Sequence, residues 1–381
     1  MFAGEGISVT EPTGFHRAAE AVGARFVEYE GYWLPTAFGD DILEEYRACR
    51  QRVAVIDLSP LRKFDVKGPG AAELMQATVT RDLSKLVDGQ VVYTAMCADD
   101  GGMLDDGTVF RFGPERFRWV GYTDDDGPWL QSHADRLGLE VTIEAVTERV
   151  HNLAVQGPAS RDVMRSVIST PAGRPTLDDL TWFRFSEGRI GVSGPEVVVS
   201  RTGYSGELGY EIWCDPADGT TVWEAVWSAG ASAGIGGLGL EALDPLRIEA
   251  GLIFKGYEYD AGVHDPFEAG IGFTVASAKT DDYVGRAALA RRREAPRQRL
   301  VGLEIDLPEP PTDTAVAPGE DGEAVGVVTS SCRSEVLDKT IALARVGIAH
   351  AGIGTRLCVG GADATVVAFP FYDPDKTRPR S

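Results

Sequence analysis

The stretch Val91–Tyr122 reads VVYTAMCADDGGMLDDGTVFRFGPERFRWVGY, and its punctuation decides the fold class. Three runs rich in β-branched and aromatic residues are punctuated by Asp100-Gly101-Gly102, Asp106-Gly107 and Gly113-Pro114, which favour tight turns. The pattern predicts an antiparallel meander. Upstream, Asp40–Arg52 (DDILEEYRACRQR) sets Ile42, Leu43, Tyr46 and Cys49 at helical spacing, with acids early and arginines late to suit the helix dipole. It predicts a surface helix. VAVIDLS and FDVKGPG then read as strands, ended by a turn at Gly68-Pro69-Gly70, and AAELMQATVTRDLSKL as an amphipathic helix over 71–86.

Downstream, a second strand-rich block opens at His151 (HNLAVQGPAS), passes a Pro-containing linker at 171–176 and reaches VVVSRTGYSGELGYEIW. Helical patterns follow in GTTVWEAVWSAGASAG and ALDPLRIEAGL. The coarse order of the first block thus recurs, and two related α+β lobes are expected without a clean sequence repeat. Beyond them RLVGLEI, AVGVVTSS, TIALARV, TRLCVGG and ATVVAFP are short strands at regular spacing, as in a small β-barrel. Residues 307–324 (LPEPPTDTAVAPGEDGEA) read as a long polar loop.

With 381 residues and 43% hydrophobic content, the chain can bury sizeable cores and divides into two or three domains. Its 58 acidic against 37 basic residues give a net charge of −21, which disfavours nucleic acid and anionic membrane surfaces as partners. A small anionic ligand stays open, because a few arginines or a helix N-terminus reverse the potential locally. The five cysteines form no CxxC pair and the five histidines share no helical spacing, so neither a disulfide framework nor a metal site is expected. No leader and no membrane-length apolar run is evident, and a cytoplasmic location is the expectation.

Two motifs carry candidate chemistry. SRTGYSGELGYEIW (200–213) interleaves Gly203, Gly206 and Gly209 with Tyr204, Tyr210 and Glu211. It reads either as a glycine-rich hairpin or as a cradle for a flat ligand, and it is neither a dinucleotide fingerprint nor a phosphate loop. GGMLDDGTV (101–109) holds Asp105 and Asp106, a solvated turn or a source of one inward carboxylate. On an alternating strand the pair point to opposite faces, so at most one is expected to enter a pocket as acid–base or electrostatic group.

AVIDLS, RDLSKLVDGQVVYTAM, DDGGMLDDGTV, LAVQGPAS, RTGYSGELGYEIW, LDPLRIEAGL, DPFEAGIGFTV, VGRAAL and RLVGLEI, in that order, resemble successive blocks of the aminomethyltransferase (glycine-cleavage T-protein) family over roughly residues 14–370. The resemblance implies an α+β fold, with three domains in a ring around a central tetrahydrofolate pocket. The domains would be a folate-binding region at 14–285, in lobes of about 52–148 and 149–285, and a C-terminal β-barrel at 296–375. It implies Asp106 as the functional acid, Glu211 at the pterin edge, Tyr204, Leu61, Tyr93 and Val120 as walls, and Phe273 where T-proteins stack a tryptophan.

Departures from the family pattern bear on the donor. Pro60, Tyr122 and Leu243 stand where T-proteins carry histidine, a folate-side asparagine and arginine. Leucine for arginine removes a charge and five donors. The resemblance with these changes implies transfer of a methyl or methylene group from a small O-, N- or S-methylated donor to N5 of tetrahydrofolate. The folate-dependent demethylases of dimethylsulfoniopropionate or methoxylated aromatics are the nearest pattern. The alternatives are the T-protein itself, acting with a lipoylated carrier protein, and a non-catalytic folate-binding protein. The iron–sulfur-assembly branch carries a KGC[YF]-type signature where this chain has Arg201-Thr202-Gly203-Tyr204, and is disfavoured.

Overall fold

The structure, a computed structural model, describes residues 10–309 and 311–381. It contains two compact units, each built from separated stretches of chain. One joins the chain up to Leu61 with Val146–Leu243 and Arg378–Ser381, and the other joins Arg62–Ala145 with Asp244–Thr377.

The first unit is built on a seven-stranded sheet. Its strands run in the order Ile168–Ser169, Phe185–Ile190, Glu196–Ser200, Gly209–Cys214, His151–Gln156, Ala54–Asp57 and Gly236–Gly237. Ala154 sits between Glu211 on one neighbour and Ile56 on the other, both antiparallel. Every residue of these three central strands is buried, which accounts for their nearly unbroken apolar runs. Phe15, Val155, Met164, Tyr210, Ile212 and Trp223 form the core between the sheet and helices Ser160–Val167 and Gly219–Gly230. Helix Ile42–Gln51 forms as its spacing predicts, with Asp41 accepting from the backbone N–H groups of Leu43 and Glu44 at 3.0 and 3.3 Å.

The second unit contains the meander. Its five-stranded sheet has the order Gln90–Cys97, Met103–Gly113, Arg116–Gly121, Arg62–Lys67 and Thr142–Ala145. Helices Ala71–Thr78 and Asp126–Leu137 cover one face through Leu74, Met75, Leu130 and Ala134, against Phe64, Val66 and Trp119. The C-terminal strands close into a six-stranded barrel, so the fold is α+β with a terminal barrel, as the sequence predicts.

Three local expectations are corrected. Asp106-Gly107 is no turn, because it lies inside the eleven-residue strand Met103–Gly113 and pairs with Ala95 and Thr94. The pairing energy of the long register with Gln90–Cys97 outweighs the local turn preference of Asp-Gly. The helix expected over 71–86 stops at Thr78, whose hydroxyl bonds back to the Leu74 carbonyl at 2.7 Å, while Val79 turns extended and bridges Met96. Finally, the polar loop at 307–324 contributes the barrel strand Ala315–Ala317, which pairs with the strands at 326–334 and 356–359.

Candidate active site

In the second unit, the strand Met103–Gly113 outruns its neighbour. Pairing with Arg116–Gly121 begins only at Thr108, which leaves the Asp106 N–H without a ladder partner on that side. Tyr259 supplies one: its hydroxyl oxygen accepts from the Asp106 N–H at 3.2 Å, while the hydroxyl lies 2.6 Å from Asp106 Oδ1 and 3.3 Å from Asp105 Oδ1. The phenol thus stands at the sheet edge, in reach of both side chains. Asp105 is fully buried, while Asp106 keeps some exposure. Alternation still separates their Cβ directions, but an edge group in the plane of the sheet can meet both carboxylates.

Asp106 is half-buried and also accepts from the Tyr93 hydroxyl, at 2.6 Å on Oδ2. Burial first, and the neighbouring charge of Asp105 second, push its pKa up from 3.8 to about 6, against the stabilising effect of the two phenols. Tyr259 is itself raised well above the usual tyrosine value by burial and by both aspartates, so it stays a phenol donor. Asp105 is fully buried and differently held. Its Oδ2 accepts from the Tyr122 N–H at 2.6 Å, and the Lys255 ammonium lies 3.3 Å from Oδ1. Asp126, 2% exposed, accepts from Trp119 Nε1 at 2.7 Å and hydrogen-bonds Asp105.

Lys255 and Tyr259 come from a segment that Glu258 pins. The buried Glu258 carboxylate accepts from Arg247 at 2.8 Å, the Phe254 N–H at 2.7 Å, and Ser330 and Thr329 of the barrel at 2.5 and 3.1 Å. A buried ion pair with every lone pair used is rigid, and this one fixes where the two site residues emerge.

Around the acids stand aromatic groups. Phe273 is 63% exposed; its centroid lies 6.3 Å from Tyr93, with the Arg81 guanidinium 6.0 Å away. Tyr122 meets Phe254 edge-on at 5.6 Å, with Lys255 Nζ 5.8 Å from its ring. Val120 is buried within the sheet, opposite Lys63 and Thr108. The structure therefore brings Asp106, Tyr93, Phe273, Tyr122 and Val120 into one unit.

The first unit holds Glu211, Tyr204 and Leu61. Glu211 is 7% exposed in the strand Gly209–Cys214 and accepts from Asn152 Nδ2 at 3.0 Å across the sheet. Asn152 is fully buried, and its Oδ1 has no hydrogen-bond partner among the described residues. A buried acceptor without a donor is costly, and beside a carboxylate it fits a ligand edge that presents N–H groups. Tyr204 and Leu61 are half-buried, in the Thr202–Leu208 segment and just after Ala54–Asp57.

Lys255, Tyr259, Asp126 and Asn152 are absent from the sequence reading. Lys255, Tyr259 and Asp126 lie in runs without periodic or motif signal, FKGYEYD and TDDDG, and Asn152 in a strand whose pattern singles out no polar residue, so only the chain's path through space brings them beside the acids or Glu211. Among the described residues no group of acids, histidines and cysteines is arranged to hold a metal ion, and no helix is long and apolar enough to cross a membrane.

The GCVT N-terminal domain matches residues 15–279, and the glycine cleavage T-protein C-terminal barrel domain matches residues 298–373. The chain belongs to the glycine cleavage T-protein family, and folate-dependent one-carbon transfer is the chemistry that fits this family. It is 50% identical, over 98% of its length, to the trimethylamine-oxide aldolase of Ruegeria pomeroyi, and spans about half (48%) of that longer relative. It is 39% identical to an aminomethyltransferase of Symbiobacterium thermophilum, covering 92% of this chain and 94% of that one. The crystal structure of glycine cleavage system aminomethyltransferase T from Bartonella henselae superposes with a TM-score of 0.84 at 25% identity, over 96% of this chain and 99% of that one.

Proposed function

We propose that the protein is a tetrahydrofolate-dependent one-carbon transferase whose donor is a small free molecule bearing a methyl or related one-carbon group. The observation that carries this reading is Asp106, a carboxyl raised to about 6 and held by two phenols beside an exposed phenyl ring. An acid with that pKa is about one-tenth protonated at neutral pH, so it can give or take a proton at Oδ1 or Oδ2 without a large driving force. Phe273 offers stacking area for a flat ring. Glu211, with Asn152 Oδ1 beside it, suits the N–H-rich edge of a pterin. Bound tetrahydrofolate would supply the nucleophilic nitrogen; the chain's own residues bind, orient and move protons.

The small-donor reading rests on Tyr122, which faces Phe254 and Lys255, and on the buried Leu243, 6% exposed. Both add apolar or aromatic surface where the T-protein pattern has amide and guanidinium groups, which suits a compact alkylated donor. The competing reading is an aminomethyltransferase acting on a lipoylated carrier. It draws on the chain's near-complete coverage of a relative of that name.

The test offers purified protein and tetrahydrofolate a panel of methylated amines, amine oxides, sulfonium compounds, methoxyaromatics and the aminomethyl-loaded lipoyl carrier. Methyl- and methylenetetrahydrofolate are followed by mass spectrometry. Turnover with a small donor is expected. Turnover with the carrier alone overturns the donor assignment, and no binding of tetrahydrofolate by calorimetry overturns the whole reading.

A further inference from the structure

Three polar groups crowd around Gly121. A Cβ there would stand 2.5 Å from Trp119 Nε1 and 2.6 Å from one oxygen each of Asp105 and Asp126. Two buried carboxyls thus converge on one point, with a single ammonium, Lys255, beside them. Two carboxylates in contact inside a protein do not both ionise near neutrality, because neither has water to spread its charge.

The donors decide which of the two keeps a proton. Asp105 accepts from the Tyr122 N–H and has the Lys255 ammonium beside it, the Tyr259 hydroxyl lying closer to Asp106, whereas Asp126 faces the Trp119 indole N–H and Asp105 itself. Asp126 also opens helix Asp126–Leu137, where the helix dipole favours a negative charge. Its carboxyl, however, is turned to Trp119 and Asp105.

We infer that Asp126 is a neutral carboxylic acid in the working protein, donating a hydrogen bond that holds the Asp105 side chain in place beside Asp106. Asp126 is then a positioning residue, and its proton stays on its own carboxyl throughout. The groups that bear on it are Asp105 on the strand Met103–Gly113, with Asp106 one residue on. Trp119 comes from the strand Arg116–Gly121, Lys255 from the segment that Glu258 anchors, and Arg62, opposite Gly121 on the neighbouring strand, is ion-paired with Asp124. Burial and the charge of Asp105 raise the Asp126 pKa far above the usual carboxylate range; Trp119 and Lys255 oppose this and lose. Only the consequence for turnover rests on the proposed function. The protonation state does not.

Infrared spectroscopy of the unliganded protein tests the core of the inference. A protonated-carboxyl band should persist at neutral pH and above the titration of Asp106, survive in Asp106→Asn and vanish in Asp126→Asn. Asparagine keeps a donor for Asp105 and an acceptor for Trp119, so Asp126→Asn should fold. With the best small donor Asp126→Ala, which removes the donor to Asp105, should lose about tenfold or more of turnover. Either an absent band in wild type or a band that remains in Asp126→Asn overturns the assignment. So does a loss of more than about tenfold in Asp126→Asn when its tetrahydrofolate affinity is unchanged. A protein that binds no folate would sink the proposed function and leave the infrared result standing.

Discussion

Replacing Asp106 by asparagine separates the stability cost of the site from its chemistry. The folded-state pKa of Asp106 is raised from 3.8 to about 6, so the folded protein binds this proton more tightly than the unfolded chain does. A raised pKa contributes stability in full below the unfolded value, and that contribution is lost as pH rises through about 6. At about 1.36 kcal/mol per pKa unit, the ionised group costs the folded state about 3 kcal/mol above that pH. Asparagine carries no charge and avoids this cost. It has one acceptor where Tyr93 and Tyr259 now find two, however, and the weaker bonding returns roughly 1 kcal/mol. Asp106→Asn should therefore be about 1–3 kcal/mol more stable than wild type at about pH 7.5, with the advantage gone near pH 4. One-carbon turnover should fall at least about a hundredfold, the scale of a lost general acid–base group. Urea unfolding midpoints measured across that pH range read the first effect, and mass-spectrometric product formation reads the second. A variant that is less stable than wild type by the same amount at both pH values would refute the reasoning, because Asp106 would then be a structural group at its ordinary pKa.

Three further outcomes follow from named contacts. Glu211→Gln should weaken tetrahydrofolate binding by about 1–3 kcal/mol in calorimetry, since a carboxylate facing N–H donors would be replaced by a group that is half donor; unchanged affinity removes Glu211 from the site. Phe273→Ala should weaken binding by roughly 1 kcal/mol and leave the melting temperature unchanged, because the ring is 63% exposed in the free protein; a lowered melting temperature with normal affinity would make it a packing residue. Glu258→Gln removes the buried countercharge of Arg247, which keeps its pairing with the more exposed Asp244, and should cost about 1–3 kcal/mol of stability while also slowing turnover, because the segment bearing Lys255 and Tyr259 loses its anchor. Wild-type stability in thermal unfolding would contradict that role.

What the sequence by itself determined is whatever repeats at short range. Helix Ile42–Gln51 follows from apolar spacing and the Asp41 cap, the meander from alternating runs and glycine-bearing turns, and the barrel from five evenly spaced strands. Asp106, Tyr93, Phe273 and Glu211 were legible through ordered family blocks, which fix a residue's place but not its neighbours. Only the tertiary structure decided that Asp106-Gly107 is mid-strand, because a local turn preference yields to pairing with strand 90–97. It also decided that Ala54–Asp57 pairs with His151–Gln156, about a hundred residues on, where no local pattern names the partner. The charge state of the acid cluster belongs to the same level. In sequence, Asp105, Asp106, Asp126 and Lys255 are ordinary ionisable residues spread over 150 positions. The pKa values of Asp106 and Asp126 depend on burial, on neighbouring charges and on a phenol at a sheet edge, and those distances exist only once the chain has folded.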